Sequence, residues 1–356
     1  MDNYAEAARQ LAEKFRYSRD ILRPKSDGDA SGTNSARDQF FHDGLLVSSS
    51  VTPDLANHLS LVCQRLEIPE TAVEAFIYAS PDIQAECIAG SKSNCVIRFS
   101  SSLVDLLDHD EFEFVVGHEL GHFLLNHGVV RLEHRSDSLE YVIQNRAQEI
   151  SADRIGMVAC QSLEIAVRAL MKTMSGLSSE HLRFDVGAFV SQLRDAPEAI
   201  RVESRFASHP SILVRCRALL WFSLNDVSSH GIKRFSEELL AKLDKRIEDD
   251  MDTFIDGPAR QLIEEAKENL AIWVAANQAV QDGAFSKDEQ SAIAEMFGEP
   301  ILDKLKGFLS DVPASEVQDI VYERLKAARE ELEGLIPSGL EDTVRDIQNK
   351  IEKKLA

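Results

Sequence analysis

The sequence predicts an α+β chain, mostly α, in which a small β-sheet and a helix bearing H-E-x-x-H form one domain and an all-α domain follows. Three observations lead there. Runs rich in β-branched and aromatic residues at 72–79 (AVEAFIYA) and 95–100 (CVIRFS) read as strands, and QAECIAGSKSN between them offers a third strand and a turn. The stretch FVVGHELGHFLLNHG (114–128) places His118, Glu119 and His122 at helical spacing. From about residue 230 the apolar positions keep a helical period with no strand signal, and residues 231–356 hold 28 acidic against 17 basic side chains, a net of −11.

Taken in order, Ala5, Ala8, Leu11, Phe15 and Ile21 give a helical pattern over 2–22, and PKSDGDASGTNSARD (24–38) reads as a flexible loop. A helix is expected over 53–66. The motif helix has Asp108 or Asp110 to cap its start, acidic residues for its positive end, and Gly128 to close it. Helices are expected again over about 137–174 and 186–196. The polar, helix-breaking LNDVSSHG (224–231) marks a boundary between domains 1–228 and 229–356. In the second domain, turns at 282–290 and 336–339 divide the helices, and Val344, Ile347, Ile351 and Leu355 form one apolar stripe that would dock on the core or on another chain.

With 356 residues, 44% of them hydrophobic, the chain can bury a large core. A net charge of −21 argues against nucleic acid or an anionic membrane as partner, since both select for Lys and Arg. Five scattered cysteines (Cys63, Cys87, Cys95, Cys160, Cys216) do not form a disulfide framework, and no C-x-x-C pair offers a thiolate zinc site. The chain opens without a basic segment leading into an apolar run, and no window approaches an apolar span of about 18 residues. A soluble, cytoplasmic protein is expected.

Residues four apart on a helix differ by about 40° in azimuth, so His118 and His122 present two imidazoles to one point, as a tetrahedral zinc requires. Glu119, beside the first of them, would reach a water there as general base. Gly117 and Gly121 keep this helix slim. A third ligand must come from elsewhere. Leu125 and Gly128 stand where a metzincin needs Gly and His, which excludes that class. His127 lies about 140° from His122 on a continuous helix and, like His134, reads as a surface residue. Among Glu133, Glu140, Glu149 and Glu164, Glu149 alone combines an acidic partner four residues on (Asp153) with small neighbours, Ala152 and Gly156. Glu149 would bind the metal while Asp153 accepts the free N–H of a ligand histidine.

H-E-L-G-H, then N-R-x-x-E-x-x-A-D-x-x-G (145–156), then SHPSILVR (208–215), in that order, resemble the gluzincin metallopeptidases that include HtpX, Oma-type proteases and the CAAX prenyl-protein endopeptidases. The likeness covers about residues 50–225 and implies a zincin-type catalytic domain with one Zn2+. It implies His118, His122 and Glu149 as ligands, Glu119 as base and Asp153 as the partner of a ligand histidine. His209 would face the metal, donating to the oxyanion or filling the open position, and Arg215 would orient that loop or pair with a site carboxylate. An edge strand, QAECIAG (84–90), would hold an extended peptide substrate through Gln84, Ala85 and Glu86. Gln84 stands where those peptidases carry an asparagine, and most of them are membrane-embedded or lipoproteins, so prenylated substrates are not expected here.

The C-terminal stretch 272–298 faintly resembles the TerB-like helical module, whose turn would set Asp282, Asp288 and Glu289 around a hard cation; an ordinary helix–turn–helix with a cap at Ser286 is the favoured reading. The function expected is a zinc metalloendopeptidase acting on peptides or unfolded protein. The alternative is a latent or non-proteolytic zinc-bearing adaptor that binds protein partners through its helical C-terminal domain.

Overall fold

The apolar runs near residues 72 and 95 become parallel neighbours. In the computed structural model, which describes residues 2–21, 30–91, 94–127, 138–192, 209–225, 236–280, 286–313 and 315–355, strands β1 (Leu45–Leu46), β2 (Val73–Tyr78), β3 (Ala85–Ser91) and β4 (Asn94–Ser100) form one sheet in the order β1-β2-β4-β3. β4 sits inside the sheet, and Cys95, Val96, Ile97 and Phe99 bury both of its faces, so its apolar residues run on instead of alternating. β3 pairs with β4 antiparallel and lies at the edge.

The mean apolarity of the motif segment places its helix in the core. Helix α5 (His109–Leu124), which follows α4 (Ser101–Leu106), is buried from Glu111 through Gly121, its charged and histidine side chains in that stretch included. Glu111 accepts the Asp108 backbone N–H at 2.8 Å, which fixes the helix start. α5 packs on α3 (Pro53–Arg65), on β3 and on α7 (Leu163–Ser175). Its tightest neighbour is α6 (Leu139–Cys160). A Cβ on Gly117 would come to 2.4 Å from the Ala159 Cβ and 3.0 Å from the Gly156 Cα, and one on Gly156 to 2.8 Å from the Phe114 carbonyl oxygen. The glycines permit that approach.

Several local expectations are corrected. Helix α1 (Asp2–Glu13) stops well before residue 22, because the chain leaves it to bury Phe15 and Tyr17, with the Tyr17 amide donating to Ser151 Oγ at 3.0 Å. Within the segment expected as loop over 24–38, residues 24–29 lie outside the described residues, and from Ala30 the chain is helix α2 (Ala30–Asp43). Its weak helix formers are overridden at the C-terminal half, where Phe40 and Phe41 pack on Phe76 and Arg37 pairs with Glu74. The helix expected over 137–174 is two helices, since Gln161 takes a left-handed φ of 57° and Ser162 caps α7. α5 closes at Leu124, ahead of Gly128, which lies outside the described residues. Of the helix expected over 186–196, α8 (Val186–Ser191) is described.

The described chain divides into two compact units, one of residues 1–133 with 142–256, the other of residues 134–141 with 257–356. The boundary expected at 228/229 lies outside the described residues. The contact boundary comes later because α10 (Glu237–Met251), which follows α9 (Ile212–Ser223), joins the first unit: Ile247 and Met251 pack with Tyr17, Ile150 and Val214, and Asp244 pairs with the buried Arg154. The second unit contains α11 (Gly257–Ala279), α12 (Lys287–Phe297), α13 (Glu299–Ser310), α14 (Val317–Leu335) and α15 (Leu340–Leu355). Ser286 and Glu289 form a capping box at the start of α12, the ordinary turn chemistry; Asp282 lies outside the described residues. Leu340, Val344 and Ile351 are buried where α15 packs on α11.

Candidate metal centre

α5 and α6 cross at their glycines, and that crossing sets two imidazoles against a carboxylate. His118 Nε2 lies 3.1 Å from His122 Nε2. Glu149, midway along α6, puts Oε2 at 3.6 Å from His118 Nε2 and Oε1 at 3.4 Å from His122 Nε2. Among the described residues these three form the group of His, Cys, Asp and Glu side chains close enough to hold a metal ion. Of the competing carboxylates, Glu140 accepts the Ser338 amide at 2.8 Å within the second unit, Glu164 is exposed at the start of α7, and Glu133 lies outside the described residues.

Asp153, one turn beyond Glu149, meets His118 Nδ1 at 3.0 Å. A carboxylate can only accept, so that contact places a proton on His118 Nδ1, and in the neutral ring Nε2 is then a bare lone pair. Arg215, on α9, grips the same carboxylate with Nε at 2.8 Å and a terminal nitrogen at 2.6 Å, and its other terminal nitrogen lies 3.3 Å from Glu149 Oε2. All of these groups are buried. Burial by itself would raise the carboxylates, but the Arg215 charge and the histidine contacts outweigh it, holding Asp153 below and Glu149 well below the ordinary range.

The centre has one member that the sequence pattern hides. His127 is buried, not a surface residue, and its Nδ1 lies 2.9 Å from His122 Nδ1. On an unbroken helix His127 would point about 140° away from His122. α5 stops at Leu124, Asn126 turns left-handed at φ 61°, and the chain folds back so that His127 stands beside His122. His134 lies outside the described residues.

His127 Nε2 in turn meets Asp20 Oδ2 at 2.9 Å. Asp20 can only accept and is already paired with the Arg16 cation, so the buried His127 is held as a neutral ring. Its proton therefore sits on Nε2, facing Asp20; its Nδ1 accepts from His122 Nδ1–H; and His122 Nε2 is left bare. Two bare imidazole nitrogens and a carboxylate thus converge, and the buried Glu149 Oε2 has no hydrogen-bond donor. That donor set fits zinc, which takes two imidazoles and a carboxylate and keeps one position open.

Residues 49–144 and 139–221 match the profile of peptidase family M48. The resemblance to the HtpX and Oma-type metallopeptidases holds over that stretch. A curated relative, the plastoglobule-localized metallopeptidase 48, chloroplastic, of Arabidopsis thaliana, is 27% identical over 202 residues, 49% of this chain. The chain spans 58% of that relative's length. No solved structure matches. The M48 match supports a metallopeptidase, and no described helix is long and apolar enough to cross a membrane.

Glu119, His209 and the start of β3 are the other site residues expected from the sequence. Glu119 is buried next to His118, and α5 packs against the edge strand β3. Cys87 on β3 is raised well above the ordinary thiol value by its hydrogen bond to Cys95, by burial, and by charges that include Glu119. Gln84 Oε1 accepts the Tyr78 hydroxyl at 3.3 Å, Glu86 pairs with Arg98, and Ala85 faces Phe99 in the register. His209 is exposed, with Nε2 at 3.6 Å from Glu149 Oε1.

Proposed function

We propose that the chain is a zinc-dependent endopeptidase in which His118, His122 and Glu149 hold one Zn2+ and Glu119 is the general base. The observation that carries the reading is the convergence of two bare Nε2 atoms and the Glu149 carboxylate beside a buried Glu119, within the M48 match. Zinc, when bound, supplies Lewis acidity that polarises a peptide carbonyl and eases deprotonation of water. Glu119 takes the proton from the attacking water and delivers it to the leaving amine. β3, at the edge of the sheet among the described residues, offers that edge to an extended peptide, with Gln84, Ala85 and Glu86 at its start, and His209 donates to the oxyanion from the open side. Asp153 and Arg215 hold His118 and Glu149 in place. Five unpaired cysteines favour a reducing compartment, consistent with cytoplasmic peptide or unfolded-protein substrates.

Glu119→Gln tests the assignment directly. The variant should retain one zinc while cleavage of an unfolded protein falls by roughly 10²–10⁴-fold. Near-native turnover would remove Glu119 from its role. Metal content of wild type and Glu149→Ala, prepared side by side, tests the ligand set, since one zinc in the first and much less in the second is expected. A wild type that binds zinc and cleaves nothing would favour the adaptor or latent reading.

A further inference from the structure

The two ligand histidines are steadied differently. His118 meets a carboxylate directly, through Asp153. His122 meets a second histidine, and that histidine meets a carboxylate that comes from about one hundred residues upstream. Asp20 is not a casual neighbour. It is buried, and four side chains hold it: on Oδ2, Arg16 Nη1 at 2.9 Å, Ser151 Oγ at 2.8 Å and His127 Nε2 at 2.9 Å; on Oδ1, Gln144 Nε2 at 2.8 Å. Ser151 is itself oriented, because its oxygen accepts the Tyr17 amide. Gln144 and Ser151 lie on α6, the helix that also carries Glu149 and Asp153, so the socket for Asp20 and the two carboxylates of the centre share one rigid element.

We propose that Asp20 and His127 are positioning residues of the metal centre, locking the His122 ring in the tautomer and orientation that aim Nε2 at the metal. The inference rests on the zinc reading above and deepens it. Asp20 accepts from His127 Nε2–H, so His127 Nδ1 accepts from His122 Nδ1–H. Reversing either hydrogen bond would place a proton on His122 Nε2, where it would block a metal. Residue 20 lies outside the stretch 49–221 that matches the M48 profile, so the N-terminal segment supplies a part of the centre that the profile does not contain.

The test is the zinc dissociation constant of the full chain, measured by competition with a chromogenic chelator, for wild type, Glu149→Ala, His127→Met, His127→Gln and Asp20→Asn. The melting temperature of each metal-free protein is read alongside. Met keeps about the buried volume of His127 and offers at most a weak thioether acceptor, and Asp20 retains three other donors. His127→Met and Asp20→Asn should each bind zinc about 10- to 100-fold more weakly. His127→Gln, whose amide can accept from His122 and donate to Asp20, should recover most of that loss. A merely structural role would lower the metal-free melting temperature and leave the affinity of the folded protein unchanged. Wild-type affinity in folded His127→Met and Asp20→Asn, beside loss of zinc in Glu149→Ala, would overturn the positioning role while the zinc reading stands. A wild type that binds no zinc, or binds as much as Glu149→Ala, would overturn the zinc reading itself. If His127→Met does not fold, the comparison of Asp20→Asn with wild type decides.

Discussion

Arg215 stands between two buried carboxylates, Asp153 and Glu149, and is the nearest fixed positive charge to both. Removing one partner of a buried ion pair leaves an uncompensated charge, so Arg215→Met should destabilise the metal-free fold by about 3–5 kcal/mol. Bound zinc would offset part of that cost. Urea unfolding of the variant with and without zinc should therefore show a smaller loss in the loaded protein; an equal loss would mean that Arg215 does not neutralise the centre. Asp20 gives a pH signature. Burial would raise its pKa, but His127, Arg16 and Ser151 outweigh burial and lower it from the ordinary 3.8 to about 2. A depressed carboxylate contributes stability above its unfolded pKa and loses it as pH falls through the folded one. Asp20 should thus contribute about 2 kcal/mol near neutrality that disappears as the pH drops from about 4 to about 2. The stability gap between wild type and Asp20→Asn should narrow over that window when unfolding midpoints are compared. That His118, His122 and Glu149 come together was legible, from the helical spacing of the histidines and from the acidic partner and small neighbours of Glu149. His127 was not, since its place depends on a single left-handed residue, Asn126, and Asp20 has no local pattern at all.

At the scale of elements, the same substitution has opposite signs at two helical glycines. Ala is favoured over Gly by about 1 kcal/mol in a helix interior. At Gly307, on α13, nothing lies within 4 Å of an added Cβ, so Gly307→Ala should stabilise by roughly that amount. At Gly117 the added Cβ would meet Ala159 at 2.4 Å and the Gly156 backbone at 3.0 Å, so α5 and α6 would have to separate. Overpacking of that kind costs about 1–3 kcal/mol, which exceeds the gain in propensity. Gly117→Ala should therefore lower the melting temperature and weaken zinc binding together, because the crossing sets the distance from the histidines to Glu149. A Gly117→Ala protein with wild-type affinity would show that the crossing tolerates a wider spacing. The sequence announced this contact through its small residues, Gly117, Gly121, Ala152 and Gly156. It did not announce α2, whose Gly, Ser, Thr and Asn residues suit a loop and which is anchored by the tertiary partners of Phe40, Phe41 and Arg37.

For the whole molecule, the two tryptophans divide between the two compact units. Trp221, in the first, donates its indole N–H to Asp250 at 2.8 Å, and Trp273, in the second, packs edge-on against Phe308 with ring centroids 5.3 Å apart. All three proposed ligands belong to the first unit. A ligand that binds only the folded state stabilises by about 2.7 kcal/mol at one hundred times its dissociation constant. In a Trp273→Phe protein, where Trp221 alone reports, zinc at that excess should raise the fluorescence melting temperature by several degrees. The reverse protein, Trp221→Phe, should show a smaller shift through Trp273; equal shifts would mean that both units melt as one. The helical character of residues 257–355 was readable from their period. The extent of the first unit was not, because α10 joins it through the buried pair of Asp244 with Arg154 and through Ile247 and Met251, contacts between residues far apart in the sequence.

The centre draws on residues 20, 118–127, 149–153 and 215, spread over more than half of the chain. On the ribosome, the histidines emerge long before the carboxylate that completes their triangle, and Arg215 follows later still. Until α9 has been made, Asp153 and Glu149 carry like charges side by side with no guanidinium between them. On the zinc reading, a nascent chain would present two histidines ahead of their carboxylate and would gain an oriented pocket only when the first unit closes. Protein that stalls in synthesis before residue 215 would be without a finished centre.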